Sequence, residues 1–358
     1  MSEFVLFRVI LGTLGIALFG IIFGLLYKGI DRKIAAHMQG RIGPPIRQPF
    51  RDVVKLFTKE NIVPENAIPW VFNLVPLLGL VAAISILLYL PLGGFLPLMT
   101  WMSPEGNLIS GGDVILILYL LIMPSLAMVI GGFSSGSPYA IVGAQREMAT
   151  MIAYEFPLAI IIIAFATRLI QTGTVTNVFA LSTIAGTPVW GVVGPLGFIG
   201  LLILLFVLLL VTPAELSKIP FDSPEAETEI AGGLLAEYSG RNLAMFYLTD
   251  GVKTVVMASI IVALFFPYTI SGLTGIEGYF AIGADILFYL VKVFLVILFS
   301  VTLIRVAIAR LKIDQIVYTY WIPLTLIGLV GLICLMWDPT MITNYGWPTM
   351  LQLLGLGS

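Results

Sequence analysis

Eight apolar runs, each long enough to cross the hydrocarbon core of a bilayer, constrain this 358-residue chain more than any other feature. A span needs about 20 residues at the helical rise. Runs of that order fall at Phe4 to Tyr27, Trp70 to Leu92, Asp113 to Phe133, Glu147 to Ile170, Val193 to Val211, Leu243 to Phe266, Ala284 to Ile304 and Tyr318 to Trp337. In lipid every backbone N–H and C=O must find its partner inside the protein, so only helices or a closed barrel can span. The alternating ten-residue pattern of a membrane barrel is missing, and the runs are uninterrupted, so helices are predicted throughout. With 59% hydrophobic and 11% charged residues, an ordinary soluble globule is excluded. The expected fold class is all-α: a polytopic integral membrane protein with about eight transmembrane helices. It forms one membrane domain, 1–358, with docking connections at 31–66 and 213–242.

The first run is too long for the apolar core of a signal peptide and has no basic segment before it, so it reads as a retained helix. Cations set the expected orientation. Lys28, Arg32, Lys33, Arg41, Arg47, Arg51, Lys55 and Lys59 border or lie in the first connection, and Arg146, Lys218, Arg241, Arg310 and Lys312 fall in the third, fifth and seventh. The even-numbered connections and the tail after Trp337 carry no Lys or Arg. The positive-inside rule then predicts odd connections in the cytoplasm and both termini outside. The second connection, rich in Gly and Pro over 93–112, reads as a plain loop.

One cysteine, Cys334, and one histidine, His37, are too few for a disulfide, a zinc site or an iron-sulfur cluster within this chain. No metal and no cofactor is expected here, so an electron carrier would belong to a partner.

Between the fifth and sixth runs lies a hydrophilic stretch, Pro213 to Arg241, with six carboxylates (Glu215, Asp222, Glu225, Glu227, Glu229, Glu237) against Lys218 and Arg241. Asp222 or Ser223 suits an N-cap, Pro224 a first turn, and Glu225 and Glu227 the positive end of a helix, with Gly232-Gly233 as its stop. A short acidic helix is the prediction. It reads either as a solvated turn or as a carboxylate-lined surface that binds a partner and feeds ions inward.

The first connection carries Gly43-Pro44-Pro45, which forces an extended turn, followed by a predicted amphipathic helix. Phe50, Val53, Val54, Leu56 and Phe57 form its apolar side, and Arg51, Asp52, Lys55 and Lys59 its polar side. Such a helix lies on anionic headgroups or makes a ledge for a soluble partner.

Within the spans, Glu155 follows Glu147 by eight residues, about 12 Å along a helix axis. A carboxylate at that depth costs about 2.5 kcal/mol or more, so a functional use is expected. Asp250 and Lys253 share one face of the sixth helix, either as an ion pair or as part of a polar path, and Lys292 lies well inside the seventh. The predicted ion-coupling set is therefore Glu147, Glu155, Glu215, Asp222, Glu225, Glu227, Glu229, Glu237, Asp250, Lys253 and Lys292.

Arg41-Ile42-Gly43-Pro44 with Gln48-Pro49 and Lys55-Leu56, Gly143-Ala144-Gln145-Arg146 with Tyr154-Glu155, Pro220-Phe221-Asp222 with Pro224-Glu225-Ala226-Glu227, Glu237-Tyr238-Ser239-Gly240, and Arg310 with Asp314-Gln315 occur in that order. The ordered set resembles the H subunit of respiratory complex I, the mitochondrial ND-one type, over nearly the whole chain. The resemblance implies eight helices and a non-catalytic subunit. Such a subunit docks an iron-sulfur peripheral arm, borders a quinone chamber and starts a line of charges leading to antiporter-like subunits. It implies peripheral-arm docking for Arg41, Arg47, Arg51, Lys55, Arg146, Arg310 and Asp314.

Two departures point to a branch. Only Pro45-Ile46-Arg47 separates the Gly-Pro from the Gln-Pro, where complex I members insert a second Gly-Pro segment. Gly232-Gly233-Leu234-Leu235-Ala236 replaces the family's Gly, aromatic and Asn. Both are similar to membrane-bound, ferredoxin-linked nickel-iron hydrogenases and their sulfur-reducing relatives.

The implied partners are the iron-sulfur small subunit and the large subunit of the arm, antiporter-like and small membrane subunits, and the lipid bilayer. Nucleic acid is not among them, and iron-sulfur clusters and a nickel-iron centre would sit in partners. The expected function is anchoring and coupling in an ion-translocating complex of the cytoplasmic membrane. A quinone-site subunit of complex I is the alternative, and a free-standing secondary transporter is a further one. Transporters of that kind show internal repeats, and none is evident here. Lys253 occupies a place where the family resemblance leads one to expect no cation.

Overall fold

The computed structural model describes residues 2–91, 114–172, 178–275 and 278–353. Among them, eight helices are long and apolar enough to cross a bilayer, and no strand occurs. In chain order the elements are α1 (Ser2–Met38), the short α2 (Gln48–Thr58), α3 (Pro69–Tyr89), α4 (Val114–Ser134) and α5 (Pro138–Thr172). There follow α6 (Pro195–Glu215), α7 (Gly240–Phe265), α8 (Phe280–Ala307) and α9 (Ile313–Tyr345). The connection read as a plain loop, 93–112, lies outside the described residues.

The bundle is built around α7, whose every residue from Gly251 to Phe265 is buried. Lipid is as apolar as leucine, so helices in a membrane associate through close packing of small residues and through polar contacts. Gly24 of α1 faces Gly251 of α7, and a Cβ on Gly24 would stand 2.5 Å from the Gly251 carbonyl oxygen. The α6–α9 pair meets in the same way, with Gly200 against the Gly331 carbonyl at 2.8 Å. The outward faces keep their apolar side chains exposed, as at Leu14, Leu18 and Ile22 of α1 and Leu326, Val330 and Ile333 of α9.

Three helices run past the ends that hydropathy marks. α1 continues through Asp31 to Met38, so the connection expected from Asp31 begins only after that residue is buried. α5 starts at Pro138, nine residues before Glu147, because Ala140 packs on Gly132 of α4 while Gly143 and Ala144 form a small-residue face against the acidic stretch. α9 starts at Ile313 and bends through a π turn over Tyr320–Leu324 around Pro323. Polar residues on an amphipathic turn lower mean hydropathy without breaking a helix.

α2 forms as predicted. Pro49 and Val53 are buried, Val53 against Leu25 and Leu248, while Arg51, Val54, Lys55 and Phe57 are exposed.

The acidic stretch is not one helix. It forms separate turns at Ser223–Glu225, Glu227–Ile230 and Gly233–Leu235. The backbone is extended at Ala226 and left-handed at Ala231, Gly232 and Gly233, with φ of 52°, 91° and 48°. Asp222 makes no side-chain cap, because its carboxylate is held instead by Arg310 at 2.8 Å. Gly233 packs on the Pro224 carbonyl so closely that any side chain would collide with it.

Candidate functional site

Charged side chains converge where α1, α4, α6 and α7 meet the acidic stretch, around a cavity of about 320 Å³. Its walls include Lys28, Arg32, Glu215, Lys218, Glu225, Glu227, Asp250 and Lys253. Asp250 and Lys253 lie on one face, as the spacing predicts, but each is paired to another segment rather than to its neighbour.

Asp250 accepts from Lys28 of α1 at 2.5 Å and from Lys218 of the acidic stretch at 2.6 Å. The Lys28 ammonium also stands 3.2 Å from the centre of the Tyr247 ring. Next to this triad, Arg32 faces Asp52 of α2 at 3.6 Å, and Gln48 donates to the same carboxylate at 2.8 Å.

Lys253 pairs with Glu215 at 2.8 Å and donates to Ser125 Oγ of α4 at 2.7 Å. Ser125 in turn lies 3.4 Å from the Tyr154 hydroxyl of α5, which is within hydrogen-bonding reach of Glu215. These partners account for a cation at this position. Removing charges from water is costly unless they are paired and hydrogen bonded, and here an ammonium, a carboxylate and two hydroxyls satisfy one another across four helices.

Glu147 is buried in α5 and accepts from Ser217 at 3.3 Å through Oε2, while its Oε1 has no protein partner. Glu155, two turns further along α5, is half-buried beside exposed Phe156, and its Oε1 also lacks a protein partner. Glu147 is thus enclosed within the bundle, while Glu155, further along the same helix, lies nearer the bundle's outer face.

In the acidic stretch, Glu229 pairs with Arg146, which also donates to the Ser223 carbonyl at 3.3 Å. Burial raises the Asp222 carboxyl above the usual carboxylate range, more than Arg310 lowers it. Burial likewise raises Glu225, against the opposing pull of Lys218. Glu227 and Glu229 are exposed and Glu237 is half-buried. Arg41, Arg47, Arg51 and Lys55 are exposed and form no ion pair among the described residues. Arg310 and Asp314 are exposed too.

Lys292 stands apart from the cavity. It donates to the Phe266 and Tyr268 carbonyls, at 2.8 and 2.7 Å, and so caps the far end of α7.

Two buried ionic contacts escape the sequence reading. Asp31 binds Thr302 at 2.6 Å and Arg305 at 3.0 Å, beside the π turn Leu298–Thr302 of α8. Asp338 of α9 accepts from the Gly194 and Gly197 backbone N–H groups at 2.8 Å each, with Arg168 at 3.5 Å. The second of them had a signal: Arg168 stands near the end of the fourth apolar run, and Asp338 directly follows the eighth.

Comparison with known proteins agrees with this architecture. Residues 11–336 match the family model described as NADH dehydrogenase. The H subunit of the NADH-quinone oxidoreductase of Thermomicrobium roseum is 32% identical over 89% of this chain and 94% of its own. Hydrogenase-4 component C of Escherichia coli is 35% identical over 68% of this chain and 71% of its own. Among solved structures, a chain of the membrane-bound sulfane sulfur reductase, an archaeal respiratory membrane complex, superposes with a TM-score of 0.75 at 29% identity. That match covers 91% of this chain and 99% of the other. A helical bundle of this kind, matched over most of its length, makes the chain a multi-pass membrane protein belonging to the NADH dehydrogenase family, among its H-type membrane subunits.

Proposed function

We propose that this chain is the membrane-anchor and coupling subunit of an ion-translocating, ferredoxin-linked complex of the hydrogenase or sulfur-reducing type. The observation that carries the reading is two sets of paired charges on the wall of one cavity: Lys218 and Lys28 on Asp250, and Lys253 on Glu215. Structural anchors gain little from buried ion pairs, whereas coupling sites need titratable groups in an environment that changes with their charge. The free Arg41, Arg47, Arg51 and Lys55 supply a basic face for an acidic partner surface.

In this reading the iron-sulfur small subunit and the large subunit of the arm sit over the connections 31–66 and 213–242, and their clusters and nickel-iron centre supply the electrons. Antiporter-like and small membrane subunits receive the coupling charge. The chain lies in the cytoplasmic membrane with both termini outside. A quinone-site role is the second reading: Pro124, Met128, Leu235, Leu243 and Phe246 give the cavity an apolar side, but the first connection lacks the second Gly-Pro segment of complex I members.

The test is Glu155→Gln in the intact complex. It keeps the volume and removes the titration. Assembly with the iron-sulfur subunits should survive, and redox-driven ion uptake into vesicles should fall about tenfold or more. Normal uptake would leave Glu155 a structural residue, and migration of the wild-type chain alone in a native gel would sink the complex reading.

A further inference from the structure

Glu147, Glu215 and Lys253 have relative exposures of 1%, 2% and 3%, and the last two line the cavity. Lys253 touches Glu215 and is in electrostatic reach of Glu147 as well. Two buried carboxylates therefore share one ammonium. With all three ionised, one negative charge is left uncompensated in a medium that tolerates none.

The surroundings do not supply the missing charge. Ser125, Tyr154 and Ser217 are neutral, and Glu225 and Glu155 would only add negative charge. Lys28 and Lys218 are both engaged by Asp250, and what positive charge they have to spare faces Glu225. The pocket also offers an open ligand atom: Glu147 Oε1 has no protein partner, whereas Glu215 Oε1 is taken by the Lys253 ammonium at 2.8 Å.

We propose that Glu147, Glu215 and Lys253 form a buried exchange site for a single monovalent cation, a proton or sodium, in which Lys253 is the counter-charge that holds occupancy at one. The proposal rests on the coupling reading above and assigns that function its stoichiometric element. Lys253 does not carry the ion. It makes a two-carboxylate pocket hold one cation instead of two.

Charge counting makes a distinctive prediction for the intact complex in vesicles, with assembly checked by co-purification of the partner subunits. Glu147→Gln leaves Glu215 and Lys253 neutral together, so no cation is called for, and redox-driven uptake should fall to about a tenth or less. Adding Lys253→Met restores one uncompensated carboxylate, and uptake should recover to about a third of wild type or better. A lysine that merely holds helices together would make the double variant worse. A double variant no better than Glu147→Gln overturns the proposal. Absence of uptake in wild-type vesicles would instead overturn the coupling reading.

Infrared difference spectra give a second measurement that does not need the double variant. In choline chloride, wild-type complex should show one protonated carboxylic acid band that is lost in Glu147→Gln or Glu215→Gln. Bleaching of that band by sodium chloride identifies sodium as the occupant, and its persistence identifies the proton. If no carboxylic acid band depends on these two residues, the site does not exist.

Discussion

Asp250 is the residue on which most of the cavity's balance depends, since it alone separates two lysines at 2.5 and 2.6 Å. Removing the carboxylate from this partly buried triad leaves two ammonium groups facing each other without compensation. Asp250→Asn should therefore destabilise the bundle, by about 1–2 kcal/mol once partial exposure is allowed for, read as a lower midpoint of thermal unfolding in detergent. Lys28→Met in the same background should return part of that loss, because it removes one of the two repelling ammonium groups. A midpoint unchanged by Asp250→Asn would mean that the lysines find water instead. The sequence discloses Asp250 and Lys253 as charged residues in an apolar run, yet not their partners. Lys28 lies on α1 and Glu215 on α6, and no local spacing links either to α7. Pairings of that kind are set by tertiary packing, so they were not legible.

At the scale of elements, the acidic stretch behaves as a proton-binding device in its own right. Asp222 and Glu225 are both raised by burial, so the folded stretch binds protons more tightly than an unfolded one. Its packing is accordingly fully supported below the ordinary carboxylate range, and that contribution is lost as pH rises through the raised values. Hydrogen exchange across 220–240, corrected for intrinsic rates, should be slower at pH 5 than at pH 8. The opposite order would contradict the burial that causes the shift.

The spans themselves were legible because twenty apolar residues leave few alternatives, and α2 because its two faces separate cleanly. The single acidic helix was not, because the competing partners come from elsewhere. Arg310 takes the carboxylate that would cap the helix, and the Pro224 carbonyl against Gly233 folds the strip back on itself. The early starts of α5 and α9 were missed for a related reason, since their first turns are polar on one side.

For the whole molecule, the exposed cations sort to one end and the mutually satisfied ones to the cavity. Arg41, Arg47 and Arg51 have no ion-pair partner among the described residues, which is what a docking surface looks like before it is docked. Reversing the charge of both Arg47 and Arg51 should release the soluble subunits from membranes while the chain itself remains inserted. Co-sedimentation unchanged by the double reversal would assign the basic face to lipid headgroups.

The Gly24–Gly251 contact lies one turn from Lys28 and directly beside Asp250. Two backbones in contact are stiff, so α1 and α7 cannot part or slide to relax their ion pair. The spacing between the Lys28 ammonium and the Asp250 carboxylate is therefore set by backbone against backbone, and any side chain at Gly24 would drive α1 from α7 and lengthen that pair.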